Sequence, residues 1–407
     1  MSAVPAHAAM PDVVTQAVMP AFVDPRRDPV DAAAPQAWPG DVTAMLAAVR
    51  AIADGPLADI ADDIDRRGTY PRSILVQLGE AGAFAAHLEL GGEADFAAGI
   101  QAIAEVSRVC GSTGFMMWCH AVCATYMEQS GNPALTGGRL LAHARAETLG
   151  GTGMSNPMKT FAGIVTMLLK ARKTPFGYVV NGALPWVSHL GPDHCFGAVA
   201  SIAGEGDEPA REIMFLARCD APGVELRHCP TFSAMEGTST WSVRFTDTPI
   251  GADELIADPV RPFIGRIRAA FILLQCGFGL GVAQGAIDSM WDVERQLGHV
   301  NEFLEDRPDG LQRELDALSA RTLALARTPY ESGREFLIDV LDARAHASEI
   351  ALRAAQSALL HAGARGYLMT SPVQRRVRES HFVAIVTPAL KHLRKEIARL
   401  SAPDYPA

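Results

Sequence analysis

The sequence predicts a multi-domain α+β protein with an N-terminal helical domain, a β-barrel-like middle domain and a C-terminal four-helix bundle. The spacing of hydrophobic residues carries this prediction. It is helical up to about residue 145, changes to strand-like alternation until about residue 256, and becomes helical again after Arg261-Pro262. A chain of 407 residues, 48% of them hydrophobic, is also too long for one compact core.

The charge and cysteine content narrow the classes of function. A formal net charge of -10, with no separate basic cluster, argues against a nucleic-acid partner. Seven cysteines without a Cys-x-x-Cys pair fit a reducing, cytoplasmic compartment. Cys119 and Cys123 flank His120, but buried thiols on an apolar helix are common, so no metal site is predicted. The apolar run at 271–283 is too short for a membrane span of about 20 residues.

The N-terminal region divides into two parts. Residues 1–40 are rich in alanine and proline without periodicity, which predicts a poorly ordered arm. Their first basic residue is Arg26, so a secretory signal is not expected. Apolar residues then recur at threes and fours through 41–145, and this spacing predicts the N-terminal helical domain.

Residues 146–256 are predicted to form the β domain. Trp241, Val243 and Phe245 alternate with polar residues, as in a half-buried strand. Asn181-Gly182 follows a β-branched stretch and predicts a hairpin turn at that point, because this pair favours positive φ angles.

Residues 257–402 are predicted to form the helical bundle. Gly277, Gly281 and Gly285 share one face of its first helix at four-residue spacing. A glycine inside a helix costs up to about 1 kcal/mol relative to alanine. Three of them on one ridge predict close approach of another backbone or a ligand.

Several short segments, in the right order, resemble motifs of the acyl-CoA dehydrogenase family. The resemblance covers roughly residues 41–400 and implies that family's fold and its FAD cofactor. The matching segments are Leu78-Gly79-Glu80-Ala81-Gly82, Ser107 to Thr113, Asn181-Gly182 with Trp186-Val187-Ser188, Gly279 to Gln284, and Gly363-Ala364-Arg365-Gly366-Tyr367 with Ser371 to Ser380.

The resemblance implies where a flavin would be held. Trp186 and Ser188 would lie beside the isoalloxazine ring, with Ser188 at its N5 edge. Thr152, Ser155 and Asn156, in a rearranged version of the family's flavin loop, would offer hydrogen bonds to the pyrimidine edge. A core tryptophan and a plain glycine-rich turn are the alternative interpretations of these segments.

The same resemblance implies contacts between subunits. Gly363, Ala364 and Gly366 would bring backbone amides to the FAD pyrophosphate of a neighbouring subunit. Arg295 is a further candidate for the pyrophosphate, or else a solvated arginine at a helix end. The family commonly forms homotetramers, so a homo-oligomer is expected.

The catalytic base is the missing part. Acyl-CoA dehydrogenation requires a carboxylate to accept a proton next to the thioester carbonyl. Thr387 occupies the position of the family's usual glutamate, and Thr387-Pro388 instead suggests the N-cap of a helix. Phe271 occupies the alternative position. Glu236 and His381 are weak candidates for the base, and Glu379 and His120 are further possibilities.

Three functions are compatible with a chain of this family that lacks the usual glutamate. The first is a flavin-dependent dehydrogenase acting on the CH-CH group of an acyl-thioester such as an acyl-CoA, with an electron-transfer flavoprotein as partner. The second is a monooxygenase of the same fold that takes reduced flavin, FAD or FMN, from a flavin reductase and uses O₂. The third is a catalytically silent assembly subunit.

Overall fold

Helices form the first part of the chain, as predicted. The computed structural model describes residues 41–90, 92–204 and 208–403, so the arm predicted at 1–40 lies outside the described residues. Asp41 caps the first helix by accepting hydrogen bonds from the Thr43 and Ala44 amides, at 2.9 and 3.1 Å. The first seven helices are α1 (Val42–Ile52), α2 (Ala58–Arg67), α3 (Arg72–Glu80), α4 (Phe96–Val109), α5 (Gly111–Gln129), α6 (Pro133–Thr136) and α7 (Gly138–Ala144).

One sheet follows these helices. Its eight strands include seven in the order β6-β7-β3-β2-β4-β5-β8, and β1 pairs with β4. The β1–β4 and β2–β4 pairs are parallel and the remaining pairs are antiparallel. A short helix, α8 (Ser155–Phe161), lies between the first two strands. The strands are β1 (Gly150–Thr152), β2 (Lys170–Thr174), β3 (Gly177–Val187), β4 (Cys195–Ile202), β5 (Arg211–Arg218), β6 (Val224–His228), β7 (Trp241–Ile250) and β8 (Leu255–Ala257).

The hairpin turn predicted at Asn181-Gly182 is wrong. β3 runs straight through this pair, and the register with β7 shifts between Val180 and Gly182, as in a β-bulge. Gly182 has φ 131°, and a Cβ there would lie 2.5 Å from the Leu168 carbonyl oxygen. The bulge and the turn both need a residue that tolerates positive φ, so the same dipeptide fits either one.

The C-terminal part is again helical and is built on one long helix. The 42-residue α9 is long and apolar enough to cross a membrane, but 94% of its most apolar stretch is buried inside the protein, as in a core helix. It packs between α4 and α11. The helices are α9 (Val260–Asn301), α10 (Pro308–Leu325), α11 (Arg334–Ala362), α12 (Pro372–Ile385) and α13 (Leu390–Leu400), with a 3₁₀ segment at Gly363–Tyr367.

The glycine ridge of α9 faces the backbone of α4, which confirms the predicted close approach. A Cβ on Gly277 would lie 2.5 Å from the Ile100 carbonyl oxygen, and one on Gly281 would lie 2.2 Å from the Ala104 carbonyl oxygen. Both distances are too short for any side chain. The two helices therefore pack backbone against backbone, and the N-terminal helices and the bundle share one hydrophobic core.

Buried side chains of the sheet form a second hydrophobic core, separate from the core of the helices. Inward residues such as Val180, Phe196, Phe215 and Phe245 are fully or almost fully buried in it. The fold thus consists of a helical N-terminal part, a central sheet and a C-terminal helical part, as the sequence predicts.

Candidate functional site

A cavity of about 390 Å³ lies where α5, the sheet, α9 and α12 meet. Its volume falls within the roughly 300–1,000 Å³ of small-molecule sites. Aromatic rings and hydroxyl groups make up most of its wall, and no aspartate or glutamate of the described residues lines it. The aromatic residues are Phe115, Trp118, Trp186, Phe232, Phe271 and Phe382, and the hydroxyl residues are Thr152, Ser155, Ser188, Ser233, Thr238, Thr240 and Thr387.

Three hydroxyl groups on the sheet side form a chain with a fixed direction. Thr238 Oγ1 donates to the Met235 carbonyl oxygen at 2.7 Å, which uses its only proton. Thr240 must then donate to Thr238, at 2.8 Å, and Ser188 must donate to Thr240, at 2.7 Å. The Ser188 oxygen therefore keeps only acceptor capacity for a ligand.

On the opposite wall, Thr387 is held by a buried polar network. Its Oγ1 lies 3.0 Å from Ser155 Oγ, and its carbonyl oxygen accepts a hydrogen bond from Gln275 Nε2 at 3.2 Å. Gln275 in turn accepts from Arg344 Nε at 2.7 Å, and Arg344 also donates to the Val383 carbonyl oxygen at 2.7 Å. Arg344 is fully buried, and burial lowers its pKa to about 10.

This network changes the interpretation of the Thr387 segment. The last helix begins at Leu390 and its N-cap is Ala389, so the predicted N-cap role of Thr387 is wrong. Thr387 is 7% exposed and presents its hydroxyl group to the cavity.

Thr152 at the end of β1 and Ser155 at the start of α8 also place hydroxyl groups at the cavity, whereas the side-chain amide of Asn156 bonds elsewhere. Thr152 Oγ1 lies 2.8 Å from the Tyr126 hydroxyl oxygen. Asn156 donates to the Thr166 carbonyl oxygen at 2.8 Å and accepts from the Leu168 amide at 3.0 Å. The Asn156 side chain thus ties the start of α8 to the segment 166–168, and it does not line the cavity.

Trp186 forms the open side of the cavity. Its side chain is 59% exposed and meets the Phe232 ring edge-on, with 6.1 Å between centroids. Deeper in the cavity, Trp118 donates from Nε1 to the Phe271 carbonyl oxygen at 3.2 Å. One indole is therefore fixed, and the other is available to cover a ligand.

The basic side chains at the cavity are Lys159, Arg378 and His381. Arg378 is engaged by the buried carboxylate of Asp65, with 2.8 Å between Nη1 and Oδ1. Burial lowers the pKa of Lys159. His381 is exposed and lines the same wall.

The structure brings together seven of the residues singled out in the sequence. All seven line the cavity: Thr152, Ser155, Trp186, Ser188, Phe271, His381 and Thr387. Gly363, Ala364 and Gly366 lie in the 3₁₀ segment after α11, and exposed Arg295 lies on α9, all away from this cavity. Their contact with a cofactor held by a neighbouring subunit stays a prediction.

The other candidates for the catalytic base do not line the cavity. Glu236 accepts a short hydrogen bond from the Phe232 amide and is absent from the cavity wall. Glu379 is 1% exposed and accepts from the Gly111 amide at 3.0 Å, and burial raises its pKa. His120 is also buried, and burial lowers its pKa well below its ordinary range. Neither Glu379 nor His120 lines the cavity.

Sequence reasoning missed Thr238 as a cavity residue. Thr240 directly precedes β7, and Thr238 lies two residues earlier, at the end of a 3₁₀ turn. The alternation of apolar and polar residues in the strand does not extend to that turn. The signal that could have found it is the run of hydroxyl residues Thr238-Ser239-Thr240.

Comparisons with known proteins agree with this fold. Two family models match the chain, the acyl-CoA dehydrogenase N-terminal domain at residues 40–147 and the acyl-CoA dehydrogenase C-terminal domain at residues 273–387. Together with the fold, they define the class as a flavin-dependent oxidoreductase. The chain belongs to the acyl-CoA dehydrogenase family, whose members bind FAD.

Individual relatives are distant but span most of the chain. The short-chain specific acyl-CoA dehydrogenase of Clostridium acetobutylicum is 23% identical over 357 residues, covering 83% of this chain and 91% of that protein. The human mitochondrial short-chain specific acyl-CoA dehydrogenase is 24% identical over 369 residues, covering 84% of this chain and 85% of that protein.

Solved structures of two chemistries share the fold. Butyryl-CoA dehydrogenase from Megasphaera elsdenii aligns with a TM-score of 0.77 at 18% identity, over 88% of this chain and 96% of that one. Dibenzothiophene monooxygenase from Paenibacillus sp. A11-2 aligns with a TM-score of 0.73 at 17% identity, over 87% and 96%. At these identities the likeness concerns the fold alone.

Proposed function

We propose that this protein is a flavin-dependent monooxygenase that uses reduced flavin and O₂. The observation that carries the proposal is the absence of aspartate and glutamate from the cavity wall within the described residues. Removal of a proton next to a thioester carbonyl needs a positioned base, and the hydroxyl group of Thr387 has no useful basicity near neutral pH. Oxygen activation by reduced flavin has no such requirement.

The hydroxyl chain supports the same proposal. The family resemblance places Ser188 at the flavin N5 edge, and only reduced flavin carries a proton there. Ser188 has acceptor capacity left, because its own proton goes to Thr240. The site is therefore matched to reduced flavin, as expected for a protein that receives flavin already reduced.

The cavity fits an isoalloxazine ring, supplied by FAD or FMN. Trp186 would cover one face of the ring, and Thr152 and Ser155 would offer hydrogen bonds to its pyrimidine edge. The flavin supplies the electrons that activate oxygen, while the aromatic wall formed by Phe115, Trp118 and Phe271 keeps water away.

The second candidate is dehydrogenation of an acyl-thioester, with His381 as the base. The observation in its favour is that His381 lines the cavity and is exposed, and histidine is the side chain that most often acts as a general base. In this case an acyl-CoA would be the substrate and an electron-transfer flavoprotein would accept the electrons.

An anaerobic titration separates the two functions. The FAD-loaded protein is mixed with acyl-CoAs of several chain lengths while the flavin absorbance is followed. We expect no bleaching, whereas reduced flavin from a separate reductase should support oxygen consumption that depends on this protein. Bleaching that His381→Gln abolishes would establish the dehydrogenase instead. A purified protein that binds neither oxidised nor reduced flavin would point to the silent assembly subunit.

A second prediction concerns the direction of the hydroxyl chain. In Thr238→Val, the first acceptor of the chain is lost, so Thr240 can donate to Ser188 and free the Ser188 proton for oxidised flavin. The preference for reduced over oxidised flavin should fall by about fivefold, since one hydrogen bond contributes about 1 kcal/mol. The two dissociation constants, measured by fluorescence titration with and without dithionite, test this.

Thr248→Val is the matched control for that measurement. Thr248 is 1% exposed on β7, and it does not line the cavity. The control should leave the preference unchanged. If the preference shifted equally in both variants, or did not shift in Thr238→Val, the hydroxyl chain would not set the preference for reduced flavin.

We also infer a cytoplasmic homo-oligomer, a tetramer as is common in the family. Large apolar side chains lie exposed around the ends of α9 and α11, where Asn301 Nδ2 bonds to the His361 carbonyl oxygen at 3.4 Å. Phe303 is 83% exposed and Tyr367 is 76% exposed. A partner subunit would cover these side chains. They lie near the segment of Gly363, Ala364 and Gly366, which is predicted to reach the pyrophosphate held by that partner.

A further inference from the structure

A cluster of two thiols and an imidazole lies outside the cavity. Cys123 of α5, His143 of α7 and Cys195 of β4 place one ligand atom each within 4.8 Å of one another. Cys123 and His143 are completely buried. The three residues come from separate elements of the helical part and the sheet, and the proposed flavin chemistry uses none of them.

The imidazole of His143 is oriented as a metal ligand is. Its Nε2 faces the His120 carbonyl oxygen at 3.1 Å, and because a carbonyl only accepts, the ring proton must sit on Nε2. The Nδ1 atom then carries a free lone pair, and it has no hydrogen-bond partner although it is buried. Histidine ligands characteristically donate their second ring N–H to a carbonyl or carboxylate in this way.

The space around the cluster is kept clear by a glycine. A Cβ on Gly150 would lie 3.0 Å from both Cys195 Sγ and His143 Cε1. Any side chain there would press on two of the three groups.

We propose that Cys123, His143 and Cys195 bind one Zn²⁺ ion as a structural site between α5, α7 and the sheet. Two thiolates and a neutral imidazole around a divalent ion give zero net charge, which suits a site without water. On binding, Zn²⁺ displaces the thiol protons of Cys123 and Cys195, which pass to solvent. The Leu149 carbonyl oxygen, 3.9 Å from Cys195 Sγ, is a candidate for the fourth position.

The test measures metal directly on the full-length protein. After loading with Zn²⁺ and gel filtration against a weak chelator, the wild type should retain about one zinc per chain. Zinc X-ray absorption should show two sulfur ligands at about 2.3 Å and nitrogen at about 2.0–2.1 Å. Co²⁺ in place of Zn²⁺ should give a thiolate charge-transfer band. These readouts need no variant and no flavin.

Variants assign the ligands. Cys195→Ser and Cys123→Ser should each lower zinc retention at least tenfold, with circular dichroism checking that the fold is kept. Cys229→Ser, on a half-buried thiol elsewhere, should retain zinc as the wild type does. The proposal fails if the wild type holds less than a tenth of an equivalent, if the absorption spectrum lacks sulfur ligands, or if mass spectrometry finds Cys123 and Cys195 joined as a disulfide.

Discussion

Gly281→Ala is expected to lower the free energy of unfolding by about 3 kcal/mol, the upper end of the usual range for overpacking. The added Cβ would lie 2.2 Å from the Ala104 carbonyl oxygen and 2.5 Å from Ser107 Cβ. Neither neighbour can move alone, because both belong to α4 in the shared helical core. The helices must separate, and every contact along their interface weakens. Chemical unfolding followed by circular dichroism measures the loss.

Gly265→Ala provides a control in the same helix with the opposite sign. Nothing lies within 4 Å of a Cβ at Gly265. Alanine is the better helix former, so this variant should gain about 0.4–1 kcal/mol of stability. If both variants changed stability in the same direction by similar amounts, helix propensity rather than backbone contact would explain the ridge.

The ridge shows what sequence spacing can reveal about a fold. Four-residue spacing of Gly277, Gly281 and Gly285 is visible in the sequence, and so is the cost of placing glycine in a helix. Together they predict that something lies close. They cannot tell whether the neighbour is a ligand or a helix, because the identity of α4 as partner depends on packing between residues far apart in the chain.

The bulge at Gly182 shows the limit of local patterns. Asn181 bonds to Asp247 on the neighbouring strand, with 2.9 Å from Nδ2 to Oδ1. That partner is distant in sequence, so the dipeptide alone could not distinguish a bulge inside a strand from the turn of a hairpin.

Some features of the sites could be predicted from the sequence and others could not. Trp186, Ser188 and Thr152 could be singled out because they lie in contiguous motifs. The orientation of Glu236 could not, since it depends on whether the side chain turns toward the Phe232 amide or toward the cavity. The cysteine cluster could not be found either, because Cys123 meets Cys195 only when α5 packs on the sheet.

Acidification is expected to destabilise the protein through its buried histidines. Burial lowers the pKa of His87 from 6.5 to about 4. Between these values the unfolded chain binds a proton and the folded chain does not, so stability is complete above pH 6.5 and is lost as the pH falls toward 4. At pH 5 the loss from His87 alone is about 2 kcal/mol. Burial also lowers the pKa of His189, which adds loss in the same direction.

His87→Gln isolates this contribution. His87 Nε2 lies 2.9 Å from the Ala121 carbonyl oxygen, and a glutamine amide can donate there without titrating. Between pH 7 and pH 5 the variant should lose about 2 kcal/mol less free energy of unfolding than the wild type, whatever its stability at pH 7. If His87→Gln kept the wild-type slope, His87 would already be protonated in the folded protein at pH 5, and its burial would not hold it neutral.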